Sequence, residues 1–152
     1  MDKLQTLDLI EEMKQSHQLQ MHKIELLIEG KDVDELTVVA KTECDFGKFL
    51  YTNEEHLKDI LGLIFYEKLE KLHEKWHLEY LRIYEIFDEY MKNKNEKKGF
   101  FAKFTGSAKI SEMDIDKAKL YYSELKATTS DLVKTIDMCQ RRVSALSTSK
   151  FE

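Results

Sequence analysis

At 152 residues the chain is about one domain's worth, long enough to bury a core without disulfide or metal staples. With 42% hydrophobic and 35% charged residues it is not a disordered chain, and a net charge of −5 lacks the basic face that nucleic acid demands. It has no proline and five glycines, which spares helices their two strongest breakers, so the chain reads as all-α.

No apolar run approaches the roughly 18 residues of a membrane span, and Met1-Asp2-Lys3-Leu4-Gln5 does not read as a secretory leader. Cys44 and Cys139 are too few and too far apart for a disulfide framework. A reducing cytoplasm is the expected setting, where a cysteine near histidines is a better metal ligand than half of a disulfide.

The first helix is expected from about Leu7 to Glu29, stopping at Gly30, a usual C-terminal cap. A short second helix is expected from Val33 to Lys41, with Val33, Leu36, Val39 and Ala40 as its apolar side. Thr42-x-x-Asp45 resembles a capping box that starts a brief helical stretch at Cys44. A second box, Thr52-x-x-Glu55, opens a long third helix from about Asn53 to Met91, with Gly62 as a site for a kink. Residues 92 to 109 read as a linker, charged in its first half and carrying Phe100, Phe101 and Phe104 in its second. Ser111-x-x-Asp114 then begins a last helix to about Ser147. Its residues Ile115, Ala118, Tyr122, Leu125, Thr129, Leu132, Ile136, Cys139, Val143 and Leu146 recur at spacings of three and four, the seam of a packed bundle. The division that follows is a helical bundle over 1–92, a linker over 93–109, and a C-terminal helix over 110–152 that packs on the bundle or on a second copy.

Helical phase sorts the histidines. On a wheel turning about 100° per residue, Ile10, Ile24 and Ile28 fall within about 20° of His17, while His22 lies near 140°. In the third helix Leu69, His77, Tyr80, Tyr84 and Phe87 fall within about 40° of His73, and His56 near 100°. His17, His73 and His77 thus sit on apolar stripes, and His22 and His56 do not. A single core histidine is ordinarily satisfied by a carbonyl or a hydroxyl. Three of them, each costing on the order of 1–3 kcal/mol if unpartnered, point instead to a shared ligand. With Cys44 they make three imidazoles and one thiolate, a donor set that suits tetrahedral zinc.

The segment Cys44-x-Phe46-Gly47-x-Phe49-Leu50-Tyr51 resembles the Cys-x-Leu-Gly-x-Trp-Leu-Tyr motif of the chemoreceptor zinc-binding (CZB) domain family. That family has a histidine upstream on the first helix and a His-x-x-x-His pair downstream. Here the pair is His73 and His77, 29 positions after Cys44. His17 lies 13 residues before Gly30, the family's usual separation of that histidine from a helix-ending glycine. Two positions depart from the pattern: Gln20 stands where an aromatic residue or leucine is usual, and Phe49 replaces the commoner tryptophan.

The resemblance implies an antiparallel, four-helix-type bundle with a short helix at the ligand cysteine and a long C-terminal helix. It implies one Zn2+ held by His17, Cys44, His73 and His77, and a dimeric bacterial cytoplasmic protein. Such domains regulate chemoreceptors or diguanylate cyclases and respond to zinc or to oxidants such as hypochlorous acid. This chain has no room for a receptor hairpin or a cyclase, so its output would pass through a signalling partner or through its own homodimer. Four protein ligands leave no open position on the metal, so no enzymatic role is expected. Two rival readings are a hemerythrin-like di-iron oxygen carrier, which needs His22 and His56 turned inward, and a metal-free interaction bundle.

Overall fold

The computed structural model describes residues 1–96 and 110–151. They form five α-helices, α1 (Lys3–Ile28), α2 (Asp45–Thr52), α3 (Glu54–Leu61), α4 (Leu63–Glu96) and α5 (Glu112–Ala145), followed by a 3-10 turn over Thr148–Phe151. The fold is all-α, as the composition implies.

Helix α1 starts four residues earlier than expected because Asp2 and Gln5 form a reciprocal capping box. The Asp2 carboxylate accepts the Gln5 N–H at 2.9 Å, and the Gln5 side chain accepts the Asp2 N–H at 3.1 Å. At its other end Gly30 takes φ of 77°. The Gly30 N–H then donates to Leu27 O and the Lys31 N–H to Leu26 O, a Schellman closure that needs the left-handed residue. The Ser111 hydroxyl caps α5 as expected, accepting the Asp114 N–H at 3.1 Å.

Helix α5 packs along both α1 and α4. Lys3 donates to the carbonyls of Ser144 and Leu146, and Lys14 reaches Asp137, so α1 and α5 run antiparallel. Arg142 donates to Ile60 O, Trp76 meets Thr129, and Arg82 pairs with Glu124, so α4 and α5 also run antiparallel. The seam of α5 is buried as its spacing predicts, with Ala118, Leu125, Thr129, Leu132, Ile136, Cys139 and Val143 in the core. Cys139 behaves as a small apolar residue there, its thiol pushed up to about 11 by burial. One core joins residues of all five helices.

The parallel passage from α1 to α4 is made by residues 31–61, and here the structure departs from the expected elements. Residues 33–41 are not a helix. They run extended down the bundle, Glu35 beside Lys23, Thr37 beside Gln20 and Tyr80, Val39 beside His77, and Lys41 beside Glu70 and Glu74. The reason is that the carbonyls a helix would use internally are taken by side chains. Tyr80 donates to Thr37 O at 3.0 Å, His77 to Val39 O at 2.6 Å, and Lys23 to Glu35 O at 3.0 Å. This strap, with α2 and α3, fills the fourth side of the bundle.

The expected single helix from Asn53 is two. Gly62 at φ 80° ends α3 outright, a break rather than a kink, and Arg142 closes the exposed end by donating to Ile60 O at 3.1 Å. Helix α4 then continues through Glu96, past the expected end at Met91. Its residues there are lysine, asparagine and glutamate with no glycine or proline, so nothing local stops it. The rest of the expected linker, with Phe100, Phe101 and Phe104, lies outside the described residues.

Candidate metal centre

The four candidate residues reach the same point from two helix interiors and one helix cap. His17 comes from the middle of α1 and His73 and His77 from successive turns of α4. Cys44 is the N-cap residue of α2, three residues beyond the strap. The expected box at Thr42 is therefore replaced by the cysteine itself, whose sulfur accepts the Gly47 N–H at 3.2 Å.

One donor atom from each of His17, Cys44, His73 and His77 lies within 4.8 Å of all the others. His73 is fully buried and His17 and His77 are each 4% exposed. Cys44 Sγ stands 3.1 Å from His73 Nε2. Two of the rings have their Nδ1–H committed, His17 to Met13 O at 2.9 Å and His77 to Val39 O at 2.6 Å. Because a carbonyl only accepts, these bonds place the lone pair of both rings on Nε2, the tautomer a metal needs. His77 Nε2 is buried with no hydrogen-bond partner, as is His73 Nδ1. Zinc–sulfur bonds near 2.3 Å and zinc–nitrogen bonds near 2.0–2.1 Å space tetrahedral ligands about 3.3–3.6 Å apart. The cluster therefore fits a zinc ion with small side-chain adjustments.

Residues 17–84 match the family model of the chemoreceptor zinc-binding domain, the family whose motif the Cys44 segment resembles. This segment is similar to the CZB family. The match opens at His17 and contains all four clustered residues, and its zinc-binding character agrees with the donor set. No curated protein and no solved structure matches the chain. Among the described residues no helix is long and apolar enough to cross a membrane.

The matched segment keeps its imidazoles neutral. Burial lowers His17 to about 4 and His73 to about 2, and it lowers His77 too, against the pull of the Val39 carbonyl. Neutral rings are what a metal takes. Cys44 shifts in the opposite direction. Burial pushes it up, and the N–H groups of Gly47 and Phe46 at the start of α2 offset this only in part.

Several residues shape the centre in ways that sequence reasoning did not find. Gly47, quoted only as part of the motif, is where the Lys41 carbonyl crosses α2. A Cβ there would lie 1.6 Å from that oxygen. Gln20, the departure from the family pattern, is buried and accepts the Thr37 N–H at 3.3 Å, holding the strap against α1. Trp76 packs edge-on to His17 at 4.7 Å between centroids and donates its indole N–H to Thr129 on α5 at 2.9 Å. No spacing rule could have found the last contact, which joins residues 53 positions apart.

His22 is exposed beside Glu25, and His56 packs against Phe151. Neither joins the cluster; the phase of His22 on α1 predicts this, whereas the phase of His56, counted along one helix with His73, does not carry across the break at Gly62. The inward-facing histidines a di-iron centre needs are therefore not assembled among the described residues.

Proposed function

We propose that this chain is a zinc-dependent regulatory protein in which His17, Cys44, His73 and His77 hold one Zn2+. The carrying observation is the buried convergence of exactly one thiol and three neutral imidazoles, two of them with lone pairs aimed inward by fixed hydrogen bonds. Bound there, zinc supplies a closed tetrahedral cross-link with no position left for substrate. The ligands come from α1, the Cys44 turn and α4, so metal occupancy becomes folding energy for that junction.

The reading extends to a switch. Hypochlorous acid oxidises the Cys44 thiolate to sulfenic acid and leaves as chloride, which removes one ligand and is reversed by thiols. Loss of the ligand or of zinc frees the strap and α2 from α4, and the changed surface passes to a signalling partner or through a homodimer. A bacterial cytoplasmic setting and an output in chemotaxis or cyclic-di-GMP control belong to this proposal. The CZB match and the buried ligand set support it.

Elemental analysis of the purified protein beside Cys44→Ala tests it. One zinc per chain, lost on that change, is the expected result. Unchanged metal content, or iron in place of zinc, overturns it. For the switch, hypochlorite at doses that oxidise Cys44 must release zinc and alter the near-UV circular dichroism.

A further inference from the structure

Lys41 stands three residues before Cys44 and is tied to the centre at both ends. Its backbone carbonyl sits 3.4 Å from Cys44 Sγ, in the space left open at Gly47. Its ammonium bonds to two carboxylates of α4, Glu70 at 2.9 Å and Glu74 at 2.8 Å. Tyr51, at the far end of α2, donates to the same Glu70 at 2.9 Å. Glu70 and Glu74 bracket His73 on α4, so the salt bridges join the strap to the turn of helix that carries a ligand histidine.

We infer that Lys41 is a positioning residue for the thiolate ligand: by bridging Glu70 and Glu74 it pins the Cys44 turn against the histidine face of α4 and so sets zinc affinity. The inference rests on the zinc-site reading above.

Geometry supports this role over ordinary surface pairing. A lone exposed ion pair holds two flexible side chains and little else. Here one residue holds the α4 carboxylates with its side chain and meets the Cys44 sulfur with its carbonyl, so anchoring the ammonium restrains the backbone beside the sulfur. Two carboxylates converge on one cation that is itself mostly covered. Charge also balances. A zinc ion with one thiolate carries +1, and the Lys41–Glu70–Glu74 triad carries −1, so the centre and its clamp are together neutral.

The test compares zinc affinity, by competition with a chromogenic chelator, in the full chain and in Lys41→Met, Lys41→Arg and Lys14→Met. Lys14 bridges Glu11 and Asp137, joining α1 to α5 rather than to the ligand histidines of α4, and reports the generic effect of losing a two-carboxylate lysine. Lys41→Met should weaken zinc on the order of tenfold, the usual scale for a group that orients a metal ligand. Lys41→Arg keeps the bridge and should stay within about threefold, and Lys14→Met should leave affinity unchanged. Cobalt(II) gives an independent reading. Its thiolate charge-transfer band should be weakened in cobalt-loaded Lys41→Met and intact in Lys14→Met, which a loss of global stability alone does not produce. Wild-type affinity in Lys41→Met, an equal loss in Lys14→Met, or no recovery in Lys41→Arg overturns the inference. A wild-type chain that takes up no zinc overturns the underlying reading as well, and is distinguished from these by the wild-type stoichiometry alone.

Discussion

Replacing Gly47 with alanine adds one methyl group near the start of α2, and in an open helix that exchange stabilises by up to about 1 kcal/mol. The surroundings reverse the sign. The new Cβ falls 1.6 Å from the Lys41 carbonyl oxygen and 2.7 Å from its carbon, with His73 Cε1 at 3.3 Å. Ordinary contact begins at 3.4 Å, so methyl and oxygen must part by about 1.8 Å. The obstacle is backbone, and no rotamer change removes it. Overpacking costs about 1–3 kcal/mol where neighbours can yield. With a fixed carbonyl the upper end applies, leaving a net loss of about 2 kcal/mol after the helix gain. Since Lys41 O and the Gly47 N–H both contact the Cys44 sulfur, zinc affinity should fall by at least about tenfold. Urea unfolding of the metal-stripped chain, followed by circular dichroism, reads the first quantity. A slope of about 1–3 kcal/mol per molar makes the shift in midpoint about 1 M. Chelator competition reads the second. Alanine at 47 with unchanged or raised stability and full zinc affinity would refute the steric reasoning.

Three further outcomes follow from the same geometry. Thr129→Val keeps the shape of α5 but strands the buried indole N–H of Trp76, so the chain should lose about 1–3 kcal/mol in urea; no loss would mean that the bond is idle. Burial holds His17, His73 and His77 neutral in the fold, whereas the unfolded chain takes up protons near pH 6.5. The unfolded state then binds more protons, so metal-free stability should fall as pH drops below about 6.5, and a flat midpoint between pH 7.5 and 5.5 would contradict this. At neutral pH the imidazoles are already free of ligand-blocking protons while Cys44, raised by burial, still holds its own. Zinc binding should therefore release one proton per ion, measured by calorimetry in buffers of different ionisation heat, and two or more would show that an imidazole is charged.

Much of the centre could be read from the chain because helical phase is a local property. His17, His73 and His77 lie among residues that are apolar at spacings of three and four, and a face that is apolar must be buried whatever covers it. The same logic excluded His22 and traced the seam of α5. The strap defeated it. Val33, Leu36, Val39 and Ala40 have helical spacing, yet nothing within residues 33–41 announces that Lys23, His77 and Tyr80 will claim their carbonyls. The Asp2 and Gln5 capping box, which sets the first turn of α1, is local and lies open in the sequence.

The amino-acid sequence by itself determined that the chain is helical, which histidines face inward, and that a cysteine of zinc-ligand type accompanies them. These follow from residue type and a period of about 3.6, which require no knowledge of neighbours. Only the tertiary structure decided that the four donors meet, that the strap stays extended, and that Gly47, Gln20, Lys41 and Thr129 shape the centre. Those outcomes depend on hydrogen bonds and close approaches between separate segments, and such contacts leave no period in the chain.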